Sequence, residues 1–218
     1  MEISADKLLS KIEQGRQYRN MVIEVKEAVA ENDEYIVRGY ATTFNEPYTL
    51  YEDDYLRIDE QVDRNAFAET DMSDVIMQYD HRGRVFARIS NDTLKLSIDE
   101  HGLLIEANLG GTEIGRQLYE EIKGGYTSKM SFGFTVTADE VSEISGEDKA
   151  IYLRTITKIG KLYDVSAVSL PANDGTEISA RGFIDGVIEE FNKAERLRAE
   201  REAKCKELEE RVKKLLEV

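Results

Sequence analysis

A histidine and a serine in two separate segments could together carry out acyl-transfer chemistry. His81 follows a short apolar strand in Gln78-Tyr-Asp-His-Arg-Gly83, and Ser131 begins an alternating strand after a helix and a double glycine. A serine hydroxyl is a poor nucleophile at its own pKa, so it needs a nearby imidazole to accept its proton, and the imidazole needs a group that orients it. The spacing of the two residues proves nothing by itself, but their types make a nucleophile and base pair a testable hypothesis.

Asp164 is the residue that we expect to orient His81. It lies in the alternating strand Leu162-Tyr-Asp-Val-Ser-Ala-Val-Ser169, where burying a carboxylate without a partner would be costly. An imidazole N–H would be such a partner, and the contact would fix the tautomer of His81 and stabilise its charged form. Two alternatives stay open. Asp164 could face water from an edge strand, or His101 could be the third member, although a histidine in a hairpin turn is usually only a solvated polar residue.

The elements that must position these residues are mostly strands. Residues 21–182 are turn-rich and alternate between apolar and polar types, which is typical of a compact β-rich domain. A helix is predicted between Thr112, its N-cap, and a stop at Gly124-Gly125, because apolar residues recur there every four positions. Strands are predicted at 35–44, 75–79, 94–98, 103–109, 131–136 and 162–169, with a hairpin turn at Asp99-Glu-His-Gly102.

Residues 1–20 and 183–218 differ in kind from this domain. Residues 1–20 are polar, and we expect them to form an N-terminal arm. The pattern of residues 183–218 predicts a helical, coiled-coil-like tail. At ~1.5 Å per residue the tail would extend about 50 Å, so packing on another chain is favoured over packing on its own domain, although both stay open. The alternating three- and four-residue spacings of a coiled-coil seam link Ile184, Val187, Phe191, Ala194, Arg198, Arg201, Cys205, Leu208, Val212 and Leu215.

The overall charge and the cysteine count argue against several classes of function. The 218 residues carry a formal net charge of −15, which argues against nucleic acid or an anionic membrane surface as the main partner. Cys205 is the single cysteine, so no intramolecular disulfide can form and a structural zinc site is not expected. The first residues lack the apolar region of a secretory signal, and no apolar run is long enough to span a bilayer. We therefore expect a protein of a reducing, cytoplasmic compartment.

Five segments, taken in order, resemble the prohead maturation proteases of tailed bacteriophages. Ile122-Lys-Gly-Gly-Tyr-Thr-Ser-Lys-Met-Ser-Phe-Gly-Phe134 looks very like the family's serine block, and Tyr79-Asp-His-Arg82, followed by Val85-Phe-Ala-Arg88, is similar to its histidine block. Val62-Asp-Arg-Asn-Ala-Phe67 resembles a third element but has Arg-Asn where the family usually has Pro-Gly. The remaining two segments are Gly39-Tyr-Ala-Thr-Thr-Phe-Asn45 and Leu162-Tyr-Asp-Val-Ser-Ala-Val-Ser-Leu-Pro-Ala-Asn173, so the resemblance covers roughly residues 35–180.

The resemblance implies a fold and a set of site residues. The family is similar to the herpesvirus capsid protease, so we expect an α+β fold with a mainly antiparallel β-barrel core surrounded by helices. The family's histidine and serine match His81 and Ser131. The herpesvirus relatives use a second histidine as the third member, whereas phage members commonly have an acid in the last strand, which here is Asp164. Neither a metal nor an organic cofactor is implied.

The resemblance also implies an activity and partners. Family members cut the scaffolding region from capsid subunits inside the immature shell, and they also cut themselves. We therefore expect a serine endopeptidase that acts on the major capsid protein or its scaffolding segment inside the assembling prohead, in the bacterial host cytoplasm. The predicted seam of the tail is the reason to expect that it also self-associates. Two other interpretations remain, namely a catalytically silent assembly factor acting through its tail, and an unrelated β-rich binding module. Arg82, Arg84 and Arg88 are candidate oxyanion donors only by their nearness to His81 in sequence, and each is more typical of a surface residue.

Overall fold

The computed structural model describes residues 16–21, 27–29, 35–144 and 149–169, together with helical positions between 188 and 206. Helix α1 (Glu113–Lys123) lies between β9 and β10, and a 3₁₀ turn (Ile89–Asn91) lies between β7 and β8. The strands are β1 (Gln17–Met21), β2 (Glu27–Val29), β3 (Ile36–Thr43), β4 (Tyr48–Glu52), β5 (Leu56–Val62), β6 (Ile76–Tyr79), β7 (Arg82–Arg88), β8 (Leu94–Ile98), β9 (Gly102–Asn108), β10 (Lys129–Ile144) and β11 (Ala150–Val168).

The strands form two open sheets rather than a closed barrel. The larger sheet has the order β1-β10-β11-β5-β4, with β6 also paired to β11 and β7 paired to β6, and the smaller sheet has the order β2-β3-β9-β8. Within the described residues no pairing joins β1 to β4 or β2 to β8, so neither sheet closes on itself. Apart from the 3₁₀ turn, the helices described there are α1 and the tail positions. The predicted β-barrel surrounded by helices is therefore wrong, because the fold is dominated by sheets whose edges stay apart.

The main core contains side chains from both sheets. Ala41 and Leu103 of the smaller sheet belong to the same buried cluster as Phe132 and Val165 of the larger sheet, and none of the four has any exposed surface. Burying such apolar surface contributes roughly 25 cal/mol for each Å² removed from water. The two central strands of the larger sheet, β10 and β11, are thus anchored by one face to this core, and their other face is available to build a site.

Strands β10 and β11 are longer than the sequence predicts. The predicted strands 131–136 and 162–169 correspond to the most buried parts of β10 (16 residues) and β11 (19 residues). Between Val136 and Ile144 the side chains of β10 are partly or fully exposed, so the sequence pattern there does not predict a strand. These residues are extended because they pair with β11. Register shifts between Gly133 and Asp139 interrupt this pairing. Such β-bulges bend a long hairpin.

Helix α1 lies within the predicted 112–124 segment. The Oγ1 atom of Thr112 accepts a hydrogen bond from the backbone N–H of Gly115 at 3.1 Å, which is the interaction expected of an N-cap. Leu118, Tyr119 and Ile122 are buried on one side of the helix and belong to the main core. The helix therefore covers the core and leads, through the predicted double glycine, into β10.

The described tail positions are helical, and the first of them contact the domain of the same chain. Ile188 and Phe191 pack against a second buried cluster, which consists of Leu56, Ile58 and Tyr152 on β5 and β11. This contact fixes where the tail helix leaves the domain.

Much of the proposed seam, including residues 184, 187 and 205, lies outside the described residues. The coiled coil therefore stays a prediction, as do the domain boundaries after residues 20 and 182. β1, at the end of the expected N-terminal arm, pairs with β10 in the larger sheet.

Candidate active site

The alternation of β10 directs Ser131 away from the main core. Phe132 and Phe134 are fully buried in that core, where their rings stack with centroids 4.3 Å apart and planes 10° from parallel. Successive side chains of a strand point to opposite faces, so Ser131 lies on the other face of β10. Burial of the two phenylalanine rings thereby sets the direction of the serine hydroxyl.

Strand β11 places a buried carboxylate on the same face, two residue pairs along the strand from Ser131. Ser131 lies opposite Ser166, and Gly133 lies opposite Asp164, in the antiparallel pairing of β10 and β11. Asp164 has no exposed surface, and its Oδ2 accepts a hydrogen bond from the Ser166 hydroxyl at 2.7 Å. A Cβ atom at position 133 would overlap Oδ1 of Asp164, so glycine is the residue that leaves room for the carboxylate.

His81 lies in the tight turn between β6 and β7, and that turn is tied to β11. Asp80 and His81 both have positive φ angles, 47° and 55°, as the two central residues of a type I′ hairpin turn do. The backbone N–H of Asp80 donates to the carbonyl of Ala167 at 2.9 Å, and its carboxylate accepts from the backbone N–H of Ser169 at 2.9 Å. Because β6 also runs parallel to β11, these bonds hold the imidazole over the strand that carries Asp164.

The structure brings the three predicted residues into one continuous hydrogen-bonded chain. The Nδ1 atom of His81 lies 2.5 Å from Oδ2 of Asp164, and its Nε2 atom lies 2.6 Å from Oγ of Ser131. With Nδ1–H donating to the carboxylate, Nε2 is free to accept the serine proton. Both ring nitrogens of His81 are thus engaged, and neither of these two contacts involves His101. It contacts Tyr40 instead, with ring centroids 4.8 Å apart.

The three candidate oxyanion arginines are exposed, and none of the hydrogen bonds described for Ser131 involves them. Arg88 pairs with Asp74 at the surface. Arg82 and Arg84 line an open depression together with Leu118 of α1. These positions agree with surface roles for all three.

Strand β1 and the residue directly before it bring three residues to the site that sequence reasoning did not identify. The carbonyl oxygen of Arg19 lies 2.8 Å from Oγ of Ser131, so it competes with Nε2 of His81 for the single proton of the hydroxyl. Arg16 forms an ion pair with Oδ1 of Asp164, and the ring of Tyr18 lies 4.4 Å from the His81 ring between centroids. Residues 17–21 show no apolar alternation, so the only signal in the sequence was a tyrosine between two arginines.

The surroundings of His81 favour its neutral form. Burial, followed by the positive charge of Arg16, lowers the pKa of His81 to about 4, and Asp80 acts weakly in the opposite direction. At neutral pH the imidazole is therefore uncharged, and Nε2 can act as a proton acceptor, as a general base must.

Among the described residues, no three histidine, cysteine or acidic side chains lie close enough to hold a metal ion. Within the same part of the chain, no helix has the length and apolar character needed to cross a membrane.

Comparison with known proteins identified one family. The sequence model of the family described as caudovirus prohead serine protease matches residues 21–193, which is most of the chain and includes all three residues of the hydrogen-bonded chain. Searches of curated proteins and of solved structures each found no match. The family match also rules out the interpretation of the chain as an unrelated β-rich binding module.

Proposed function

The chain belongs to the caudovirus prohead serine protease family, and we propose that it is an endopeptidase in which Ser131 is the nucleophile, His81 the base and Asp164 the group that orients His81. The observation that carries this proposal is the unbroken hydrogen-bonded chain from Oγ of Ser131 through both ring nitrogens of His81 to Oδ2 of Asp164. The distance of 2.6 Å between Nε2 of His81 and Oγ of Ser131 is within the range expected of a working nucleophile and base.

The proposed reaction has two halves that use the same groups. Oγ of Ser131 attacks the carbonyl carbon of the scissile peptide bond while its proton passes to Nε2 of His81. The tetrahedral intermediate collapses, the C–N bond breaks, and the leaving amine takes the proton from Nε2, which leaves an ester on Ser131. A water molecule then attacks this ester while His81 accepts its proton, and the carboxylate product departs as Ser131 recovers its hydrogen.

Asp164 supports both halves without gaining a proton. Its Oδ2 holds Nδ1–H of His81 and so keeps the tautomer in which Nε2 is the acceptor. When Nε2 becomes protonated, the adjacent carboxylate stabilises the imidazolium. The hydrogen bond from Ser166 fixes the carboxylate itself, and the reaction needs no metal or organic cofactor.

The substrates that we propose are the scaffolding segments of the major capsid protein, with the chain itself as a second substrate. The reaction would take place in the prohead while it assembles in the host cytoplasm, and the tail would join copies of the protease or join it to scaffold. Such tethering raises the local concentration of enzyme and substrate within the shell.

Co-expression with the capsid subunit tests this function. The unaltered chain is expected to shorten the subunit, and the Ser131→Ala variant is expected to leave it intact. Ser97→Ala, which removes a hydroxyl from β8 in the other sheet, is the matched control and should process normally. Equal processing by the Ser131→Ala variant would contradict the assignment of Ser131 as the nucleophile.

A catalytically silent assembly protein is the second candidate function. The helical tail favours it, because such a tail could act in assembly without any reaction. Mass spectrometry of the purified chain over several days, beside the Ser131→Ala variant, separates the two candidates. Self-cleavage that depends on Ser131 supports the protease, whereas a chain that stays intact while still promoting shell assembly supports the silent protein.

A further inference from the structure

Strand β1 lies along β10 in the position that a peptide strand paired beside the nucleophile would take. Asn20 is opposite Ser131, Arg19 is opposite Phe132, and the pairing is antiparallel over all five residues of β1. Ser131 has no exposed surface, and the carbonyl oxygen of Arg19 lies 2.8 Å from its hydroxyl. A separate substrate therefore reaches Ser131 only if it replaces β1.

The side chain of Arg19 fills a buried pocket that is built for a guanidinium. Its Nη2 atom donates to Oε2 of Glu60 and to Oε1 of Gln17, both at 2.9 Å, and its Nε atom also pairs with Glu60. The Glu60 carboxylate has no exposed surface and also accepts from Nη1 of Arg154 at 2.8 Å and from the hydroxyl of Tyr48 at 2.5 Å.

Among the described residues, the charges that pair within this pocket balance when the arginine is present. Two carboxylates, Glu60 and Asp139, face two guanidiniums, Arg19 and Arg154. Without Arg19, the two carboxylates would share one guanidinium, and a buried carboxylate that lacks a partner is strongly unfavourable. A strand that occupies the site must therefore supply a cation to Glu60. The bidentate contact with the Glu60 carboxylate fits a guanidinium better than an ammonium group.

We propose that the edge of β10 and the Glu60 pocket form the substrate-binding site, that the substrate is an extended peptide with an arginine held by Glu60, and that β1 occupies this site in the resting chain. The proposal rests on the function proposed above. The bond that breaks is the C–N bond after the arginine. Its carbonyl carbon forms the ester with Ser131, the amine of the next residue leaves with the proton from His81, and water then releases the arginine carboxylate.

The geometry of β1 is that of a resting occupant. The oxygen of the Arg19 carbonyl, and not its carbon, faces the Ser131 hydroxyl, at 2.8 Å from Oγ. The carbon lies one C=O bond, about 1.2 Å, behind that oxygen. Attack requires this peptide group to turn so that its carbon faces Oγ, and the pairing of Arg16 with Asp164 and of Tyr18 with His81 resists that movement.

Peptide binding tests the pocket without relying on catalysis. The probe is a fluorescent peptide with the sequence of residues 14–24, and the protein is the full chain with Ser131→Ala and Arg19→Leu, so that its own β1 no longer supplies the guanidinium. Fluorescence anisotropy is expected to show binding at least tenfold tighter for this peptide than for the same peptide with leucine in place of the second arginine, or for a scrambled peptide. Equal affinities, or no binding of any of them, would overturn the proposal.

A second measurement decides the matter if that double variant does not fold. The unaltered chain is co-expressed with the capsid subunit, and the new termini are mapped by mass spectrometry. Cuts after arginine, each blocked when that arginine is changed to leucine, support the proposal. Ser131-dependent cuts after other residues would overturn the arginine pocket while leaving the protease function intact, whereas arginine-dependent peptide binding without any Ser131-dependent cut would overturn the function alone.

Discussion

Gly133 lies opposite Asp164 across the pairing of β10 and β11, and the carboxylate occupies the space that a side chain at position 133 would take. A Cβ atom there would also lie 2.9 Å from Cε1 of Tyr18 and 3.1 Å from Nε of Arg16. The glycine that precedes Phe134 in the serine block is thus part of the geometry that holds His81, although it has no side chain of its own.

Gly133→Ala is therefore expected to impair the reaction more than the fold. The methyl group would displace Asp164 from Nδ1 of His81, and a misplaced catalytic group commonly lowers the rate on the order of 100-fold. Processing of the capsid subunit, followed by gel electrophoresis, measures the loss. Gly111→Ala is the matched control, because a Cβ atom at position 111 meets nothing within 4 Å. Normal processing by Gly133→Ala would show that Asp164 can move without consequence.

The titration of His81 gives a second prediction. The chain has two histidines, so NMR signals of the imidazole ring can be assigned with a His101→Gln variant. We expect the pKa of His81 to lie near 4, and we expect Arg16→Ala to raise it, since the positive charge of Arg16 is one cause of the lowered pKa. Arg38→Ala, which removes a surface arginine, should leave it unchanged. A His81 midpoint at or above ~6.5 in the unaltered chain would contradict the buried site.

The same lowered pKa predicts how stability depends on pH. His81 is neutral in the folded chain down to about pH 4, whereas in the unfolded chain it takes up a proton near its ordinary pKa of ~6.5. Above pH ~6.5 His81 is neutral in both states, so its titration does not change the free energy of unfolding. As the pH falls from ~6.5 towards 4, the unfolded chain takes up a proton that the folded chain does not, and the folded chain becomes less stable. Urea unfolding of the unaltered chain and of His81→Gln over this range measures the free energy of unfolding of each. The part of their difference that comes from titration of His81 should be small at neutral pH and grow on acidification.

The buried charge network predicts a large effect on stability. Burial alone would raise the pKa of Glu60, but Arg19 and Arg154 outweigh it and lower the pKa to about 2, so the carboxylate is charged. Arg154→Met would remove one of its two cationic partners and is expected to lower the free energy of unfolding by about 3–5 kcal/mol, as loss of one partner of a buried pair does. Arg38→Met breaks an exposed pair with Glu106 and should change it by at most about 1 kcal/mol. Similar values for the two variants would show that the network contributes no more than a surface pair.

The tail predicts a separation between folding and association. A chain that ends at residue 182 should lose self-association in sedimentation while keeping a folded core, although it also loses the contact of Ile188 and Phe191 with the cluster around Tyr152. Leu208→Lys with Leu215→Lys leaves that contact in place and should abolish association by itself, because the charges fall on the predicted seam. An oligomer that persists in both variants would place the interface elsewhere.

Local pattern and family resemblance together located much of this site, and contacts between distant segments account for the rest. Ser131, His81 and Asp164 each lie in a segment with a recognisable pattern, and the hairpin around Asp99 and the cap at Thr112 follow from short-range rules. The closed barrel was an expectation from resemblance, and the separate edges of β1 and β4 contradict it. No short-range pattern predicts β1. Its polar residues form a strand because they pair with β10 and because Arg19 binds Glu60.

Reaction with a fluorophosphonate, followed by peptide mapping, tests the central claim most directly. The unaltered chain and an Arg16→Ala, Tyr18→Ala variant with weakened contacts of β1 are treated side by side. We expect one adduct, on Ser131, which forms faster in the variant, is absent after Ser131→Ala, and forms at least ~100-fold more slowly after His81→Ala because the general base is missing. An adduct on another residue, an unchanged rate after His81→Ala, or no adduct on Ser131 in either protein would contradict the assignment of Ser131 as a nucleophile activated by His81.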